Sequence, residues 1–201
     1  MLRVYETSVA GGNVTSQDGA FTAPDDSEYD GGAGEAVQKK LYLAPAQTTL
    51  AADIDDSQTE IEVDHPVFDD ELYTKIIIGS TGEIATITAG IGTKYLTVTR
   101  GDTPAAASAD DPVYYAYTYH NITIAASDES GTDDTDMFRY APDVAGSPGS
   151  YVTSLSPSVM TDPTSDSYTF WRRITVDAAT AAQDKVDMRH DVSFEAFEYA
   201  A

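Results

Sequence analysis

The sequence predicts an all-β protein: two packed small β-barrel or β-sandwich modules with an extended N-terminal arm. Three observations carry that expectation. Short runs of β-branched and aromatic residues recur at intervals of roughly 8–12 residues, set apart by Gly, Pro, Asp and Ser clusters. Several of these runs alternate apolar and polar side chains with the two-residue period of a half-buried strand. Helical periodicity is weak almost everywhere.

Taken in order, "LRVYETSVA" reads as a strand, and residues 11–36 read as loop or extended arm because they are Gly- and Asp-rich without periodicity. "AVQKKLYLA" (36–44) is a strand with Val37, Leu41 and Leu43 as its burial candidates. In "QTEIEV", Ile61 and Val63 alternate with Glu60 and Glu62 after a polar turn at 55–58. "KIIIG", a turn at Ser80–Gly82 and "EIATIT" form a hairpin; a second turn at Gly90–Thr93 leads to "YLTVTR". "DPVYYAYTYHNITIAA" is one long strand or a pair. Beyond an acidic loop come "MFRYAPD", a Gly/Ser/Pro turn, "SYVTSLSP" and "SYTFWRRITVDA". The last places Tyr168, Phe170, Arg172, Ile174 and Val176 on one face and Thr169, Trp171, Arg173 and Thr175 on the other. "KVDMRHDVSFEAFEYA" closes with one long strand or a pair. The expected units are a strand, arm and strand over 1–46 packing on the body, a small β module over 47–117, and a sandwich-like domain over 118–201. Their boundary falls within a continuous strand path near Tyr117–His120, so the last two units are expected to pack together.

Charge bounds the function. There are 34 acidic residues against 11 basic ones, a formal net charge of −23, and only ten of the acids are Glu. Such a chain repels nucleic-acid phosphates and anionic membranes, which require clustered Lys and Arg. Self-repulsion strains the compact state at low salt, and molar salt relieves it because the Debye length falls to about 3 Å. A folded chain this rich in Asp and poor in Lys resembles proteins of salt-in halophiles, particularly haloarchaea and their viruses. With no cysteine, disulfides and thiolate sites are excluded. No apolar run approaches the ~18–20 residues of a membrane-spanning helix. "MLRVYETSVAGG" lacks the apolar core of a signal peptide, so a soluble chain without its own secretion address is expected.

"TTLAADIDDSQTEIEV", "KIIIGSTGEIATITAG" and "YLTVTRGDTPAAASADDPV", in this order, resemble a small β module recurrent in structural proteins of tailed viruses. There a "TTL" strand, an "I–V" strand and an "IxIG–E–xxIT" hairpin lead to "LTVTRG" and an Ala-rich loop. The resemblance covers about residues 47–114, at Thr48, Thr49, Leu50, Ile61, Val63, Ile78, Gly79, Glu83, Leu96, Val98, Arg100 and Gly101. It departs at "GDTPAAASADDP", where many relatives carry Gly-Thr and a nearby His. "YTFWRRITVDAATAAQDKVDMRHDVSFEA" more weakly resembles a phage virion β-domain. On the residues themselves, Gly79 and Gly101 fall where strands must turn, and glycine adopts positive φ without strain. Glu83 is placed to cap backbone amides or to pair with Arg100 across the hairpin. The Arg-Gly-Asp of residues 100–102 therefore reads as a strand end and its turn rather than an adhesion signal. The loop Asp102–Pro112 is expected to be the part open to a neighbour.

Other chemistry is thin. His65, His120 and His190 have no metal-ligand spacing, and no nucleophile elbow occurs. The acidic stretch 127–136 offers Asp128, Asp133, Asp134 and Asp136 to a weakly held hard cation but lacks an EF-hand pattern; otherwise it is a solvated loop. Asn13 is the more plausible of two glycosylation sequons, the other being at Asn121. Trp171, Tyr168, Phe194 and Phe197 suit a core or a subunit interface, or alternatively a sugar platform. The adjacent Arg172 and Arg173 are expected to form ion pairs.

The expectation is a non-enzymatic virion structural protein of a tailed virus from a halophilic host, assembled in the host cytoplasm and needing no cofactor. Its partners would be other virion proteins and copies of itself in a symmetric particle, with no nucleic acid or membrane. Its place would be the tail, baseplate or fibre-attachment region. The alternatives are a capsid decoration or turret protein and, from another class, a receptor- or glycan-binding module for host surface glycans.

Overall fold

The structure, a computed structural model, describes residues 1–6, 32–128, 133–180 and 188–200. Most of the expected arm and the sequon at Asn13 lie outside the described residues. The protein is all-β. In chain order the strands are β1 (Leu2–Tyr5), β2 (Glu35–Pro45), β3 (Gln47–Thr49), β4 (Glu60–Glu62), β5 (Lys75–Ile78), β6 (Glu83–Ala89) and β7 (Tyr95–Thr99). They continue with β8 (Pro112–Tyr115), β9 (Tyr117–Asp128), β10 (Phe138–Val144), β11 (Ser147–Pro148), β12 (Ser154–Leu155), β13 (Tyr168–Val176) and β14 (Met188–Glu198).

The segment 47–115 forms a six-stranded antiparallel sheet in the order β3-β8-β5-β6-β7-β4. The sheet curls until its two ends meet. Leu50 bridges Val63, the Ala51 N–H donates to the Glu62 carbonyl at 2.9 Å, and the Asp64 N–H donates to the Thr49 carbonyl at 2.9 Å. Closure removes the unpaired edges that an open sheet would present. The central strand β5 is buried at Ile76, Ile77 and Ile78, as a strand covered on both faces must be. In β6, Glu83, Ala85 and Ile87 point inward and Ile84 and Thr86 less so. The alternation of "EIATIT" thus carries a glutamate into the interior.

At Ala116 the chain changes sheets. Its N–H donates to the Lys75 carbonyl of the barrel, and its carbonyl accepts from the Tyr199 N–H just beyond β14, both at 2.9 Å. The "VYYAYTYH" run is therefore two strands with one hinge residue. Past it, β9 lies between β12 and β14 in a three-stranded sheet. A third sheet has the order β1-β2-β13-β10-β11, with β2 and β13 paired from Val37↔Ile174 through Leu43↔Tyr168 and beyond. Of the two faces expected for β13, the one bearing Phe170, Arg172, Ile174 and Val176 is buried.

"SYVTSLSP" differs from the expected strand. It crosses between sheets, Val152 exchanging two 2.7 Å hydrogen bonds with Tyr140 of β10, and Leu155 pairing with Ile124 of β9. One segment cannot stay regular while serving two sheets. The main core is an apolar cluster fed by all three sheets, and Phe138, Ile174 and Val176 form a second, smaller one. Aromatic rings pack edge-on within the main core, Phe68 on Tyr115 at 4.8 Å and Tyr119 on Phe194 at 5.2 Å, while Tyr73 on Tyr117 at 5.1 Å links the loop before β5 to β9. The tyrosine oxygens also reach partners, the Tyr117 hydroxyl accepting from the Thr74 and Lys75 N–H groups at 3.1 and 3.2 Å. Arg3 of β1 adds a polar tie to the loop before β5, donating to Asp69 Oδ1 at 2.5 Å.

Candidate functional site

The densest polar constellation lies where β6, β7 and the Ala-rich loop meet. Glu83 and Arg100 form a two-pronged ion pair, Arg100 Nε to Glu83 Oε1 at 2.7 Å and Nη2 to Oε2 at 2.6 Å. Their side chains are only 2% and 7% exposed. The glutamate also accepts from the Gly101 N–H at 3.0 Å and the Ala105 N–H at 3.1 Å. The guanidinium donates onward to the carbonyls of Asp55, Gln58 and Ala105 at 2.8, 2.9 and 2.7 Å. Both roles expected of Glu83, amide cap and ion-pair partner, are thus filled at once. Burial works against the charged carboxylate, but the hydrogen bonds from Arg100, Gly101 and Ala105 outweigh it and hold the Glu83 carboxyl below its ordinary value. The Glu83 hydrogen bond in turn raises Arg100. A buried pair with every lone pair and proton engaged can offset its desolvation; a half-satisfied one would not.

The clamp corrects two expectations. Gly79 does adopt φ +37°, but Gly101 is not among the positive-φ residues. It is required because a Cβ there would lie 2.6 Å from the Ile84 carbonyl oxygen, so close approach of the backbone, not turn handedness, selects glycine. The loop Asp102–Pro112 is also less free than expected. Ala107 exchanges hydrogen bonds with Ile54 at 2.9 and 3.0 Å, and the Ala109 N–H reaches Asp53 Oδ1 at 2.8 Å. The Asp110 N–H donates to the Leu50 carbonyl at 2.9 Å, and the Leu50 N–H donates to the Asp111 carbonyl at 2.9 Å. Asp102–Pro104 and Ser108–Asp110 are exposed, but the second stretch is held by these backbone hydrogen bonds. With Arg100 turned inward, the Arg-Gly-Asp tripeptide cannot be displayed as a ligand.

The second feature is the edge of the three-stranded sheet. β14 pairs with β9 from Met188↔Asp128 to Glu198↔Tyr117, and among the described residues β9 is its one neighbour. A bulge interrupts the ladder between Ser193 and Glu195, where β9 supplies the extra residue. Asn121 accommodates it at φ +49°, its Nδ2 donating to Glu195 Oε2 at 2.8 Å. Asparagine tolerates that backbone region better than most side chains.

The aromatic candidates are dispersed. Trp171 is half-buried, with Nε1 donating to Asp143 Oδ1 at 2.8 Å and Lys40 Nζ 5.7 Å from its ring. Tyr168 stacks on Phe170, Phe194 packs on Tyr119, and only Phe197 is exposed, at 53%, edge-on to His120. They do not form one sugar-binding platform. Arg173 was expected in an ion pair; its guanidinium carbon lies 4.1 Å from the Tyr151 ring centroid instead, because the outward row of β13 faces an aromatic there.

Of the cation candidates, Asp128 caps the Asp134 N–H at 3.0 Å, and Asp133 caps the Thr135 N–H and hydroxyl at 3.0 and 2.6 Å. Asp136 is 98% exposed beside Arg139. Among the described residues no group of three or more His, Asp or Glu converges on a metal position. The imidazole of His190 lies with Nδ1 3.0 Å from the Tyr140 hydroxyl, and His65 meets Thr48 through its backbone N–H. Comparison with protein-family models, curated proteins and solved structures yields no match.

Proposed function

We propose that this chain is a non-enzymatic structural protein of a tailed-virus particle from a halophilic host, acting by protein–protein assembly in the tail, baseplate or fibre-attachment region. The observation that carries the reading is β14, a regular strand of 11 residues with a single neighbour among the described residues. Strand edges of this kind bind other chains by adding a strand, with main-chain hydrogen bonds for affinity and alternate side chains for specificity. Support also comes from the middle module. Leu50, Ile61, Val63, Ile78, Leu96 and Val98, which carry the resemblance to virion modules, are its buried wall, and Glu83, Arg100 and Gly101 form its clamp. Repetition of modest contacts in a symmetric particle multiplies their effect.

The charge of −23 supports a high-salt medium. Folding and assembly both bring carboxylates together, so both are favoured by molar salt and opposed by its removal. Immunogold labelling and peptide mass spectrometry of density-banded particles test the location. Label at the tail end supports the reading. Label on the capsid surface replaces it with a decoration or turret role, and particles without the chain overturn it. A circular-dichroism melt that is unchanged between molar and millimolar NaCl would remove the halophilic part.

A further inference from the structure

We propose that β14 is the docking edge for a second copy of this chain, the two strands pairing antiparallel about Val192 and joining their three-stranded sheets across a two-fold axis. The inference rests on the assembly reading and deepens it by naming strand, partner and register.

An edge strand competent for pairing must be long, regular and unguarded. Natural proteins guard edges with Pro, Lys, bulges or covering segments. Between Met188 and Glu198 there is no Pro, Gly or Lys, and the bulge that could have bent this edge is borne by β9 at Asn121. The even row of β14 is committed to its own molecule: His190 to Tyr140, Phe194 to Tyr119, with Val192 and Ala196 against the main core. The odd row, Arg189, Asp191, Ser193, Glu195 and Phe197, faces outward.

Charge then selects the register. In an antiparallel pair, opposed residues share a face, so a two-fold axis must place a residue opposite its own copy. An axis at Ser193 would set Asp191 against Glu195 twice. An axis at Asp191 would set that carboxylate against itself, and one at His190, although it opposes Arg189 to Asp191, would pair only Met188–Val192 of the strand. An axis at Phe194 opposes Ser193 to Glu195 and Asp191 to Phe197, giving the outward row no opposite-charge pair. The axis at Val192 sets Arg189 opposite Glu195 twice and Asp191 opposite Ser193 twice, with no like-charge contact. Strand order, the displaced bulge and this charge pattern agree on one self-complementary interface.

Two measurements test it. The chain has no cysteine, so Val192→Cys introduces a unique thiol. Opposed Cα atoms in an antiparallel pair lie about 4.5–5.5 Å apart, within disulfide reach. Asp191→Cys, offset from its own copy by two residues, lies beyond the roughly 7 Å limit. Under mild oxidation in molar NaCl, the first variant is expected to form a disulfide-linked dimer and the second to form no disulfide link. In sedimentation, at the lowest salt that leaves the circular dichroism unchanged, Arg189→Glu and Glu195→Arg should each weaken dimerisation roughly tenfold, and combining them should restore it. Folded Val192→Cys protein that does not cross-link, or charge reversals without effect, overturns the pairing. A monomer in solution that is nevertheless found in particles overturns the pairing and leaves the virion reading. A cross-linked dimer absent from particles does the reverse.

Discussion

The barrel over 47–115 and the sheet of β12, β9 and β14 are built from similar short strands but treat their edges in opposite ways. The barrel bonds its ends together through Leu50 and Val63, then fixes the loop after β7 with a buried ion pair. The other sheet ends in a half-exposed strand whose outward row carries Arg189, Asp191 and Glu195. Polar order is spent inside the barrel on self-closure. In the second sheet it is left at the surface. On the proposed reading, the barrel serves stability and the β14 edge serves association.

The strongest way to break that assignment is to strike the clamp. Arg100→Ala leaves Glu83 buried without its cation and should cost about 3–5 kcal/mol in chemical denaturation, without altering dimerisation of the fraction that remains folded. Acid acts on the same group. Its folded pKa is depressed, so its contribution is fully present above the ordinary value of 4.5 and is lost as pH falls through the lower folded value. In molar salt, acid denaturation should therefore begin below that ordinary value in the parent and be blunted in Arg100→Ala. Next in size, Gly101→Ala forces a methyl against the Ile84 carbonyl and should cost about 1–3 kcal/mol by the same assay.

On the other side, Phe194→Ala removes a half-buried ring from Tyr119 and Tyr73 and should cost about 2 kcal/mol, less than a full core Phe→Ala. It should also weaken association, which neither barrel variant does. The smallest effect is Trp171→Phe, which forfeits the hydrogen bond to Asp143 and should cost about 1 kcal/mol or less, with no change in association.

Most of this contrast was legible one strand at a time. Alternation located the two faces of β13 and the wall of the barrel, and the hairpin placed Glu83 to cap amides or pair with Arg100, but the burial of that pair was not read from the sequence. Less visible was what depends on distant partners. Pairing of β2 with β13 joins segments more than 120 residues apart, and local periodicity cannot encode that register. Gly101 carried a signal for the wrong cause, since a sequence shows a glycine but not the carbonyl pressed against it. Asn121, an asparagine inside a strand pattern, was the available sign of the bulge and was read only as a sequon.

Hydrogen–deuterium exchange followed by mass spectrometry, in molar NaCl at a dilute and a concentrated protein stock, tests the division most directly. The account predicts that peptides covering 188–198 gain protection at the higher concentration while those from β5, β6 and β7 are unchanged and already slow. Protection gained at Asp102–Pro112, with none in β14, would contradict it.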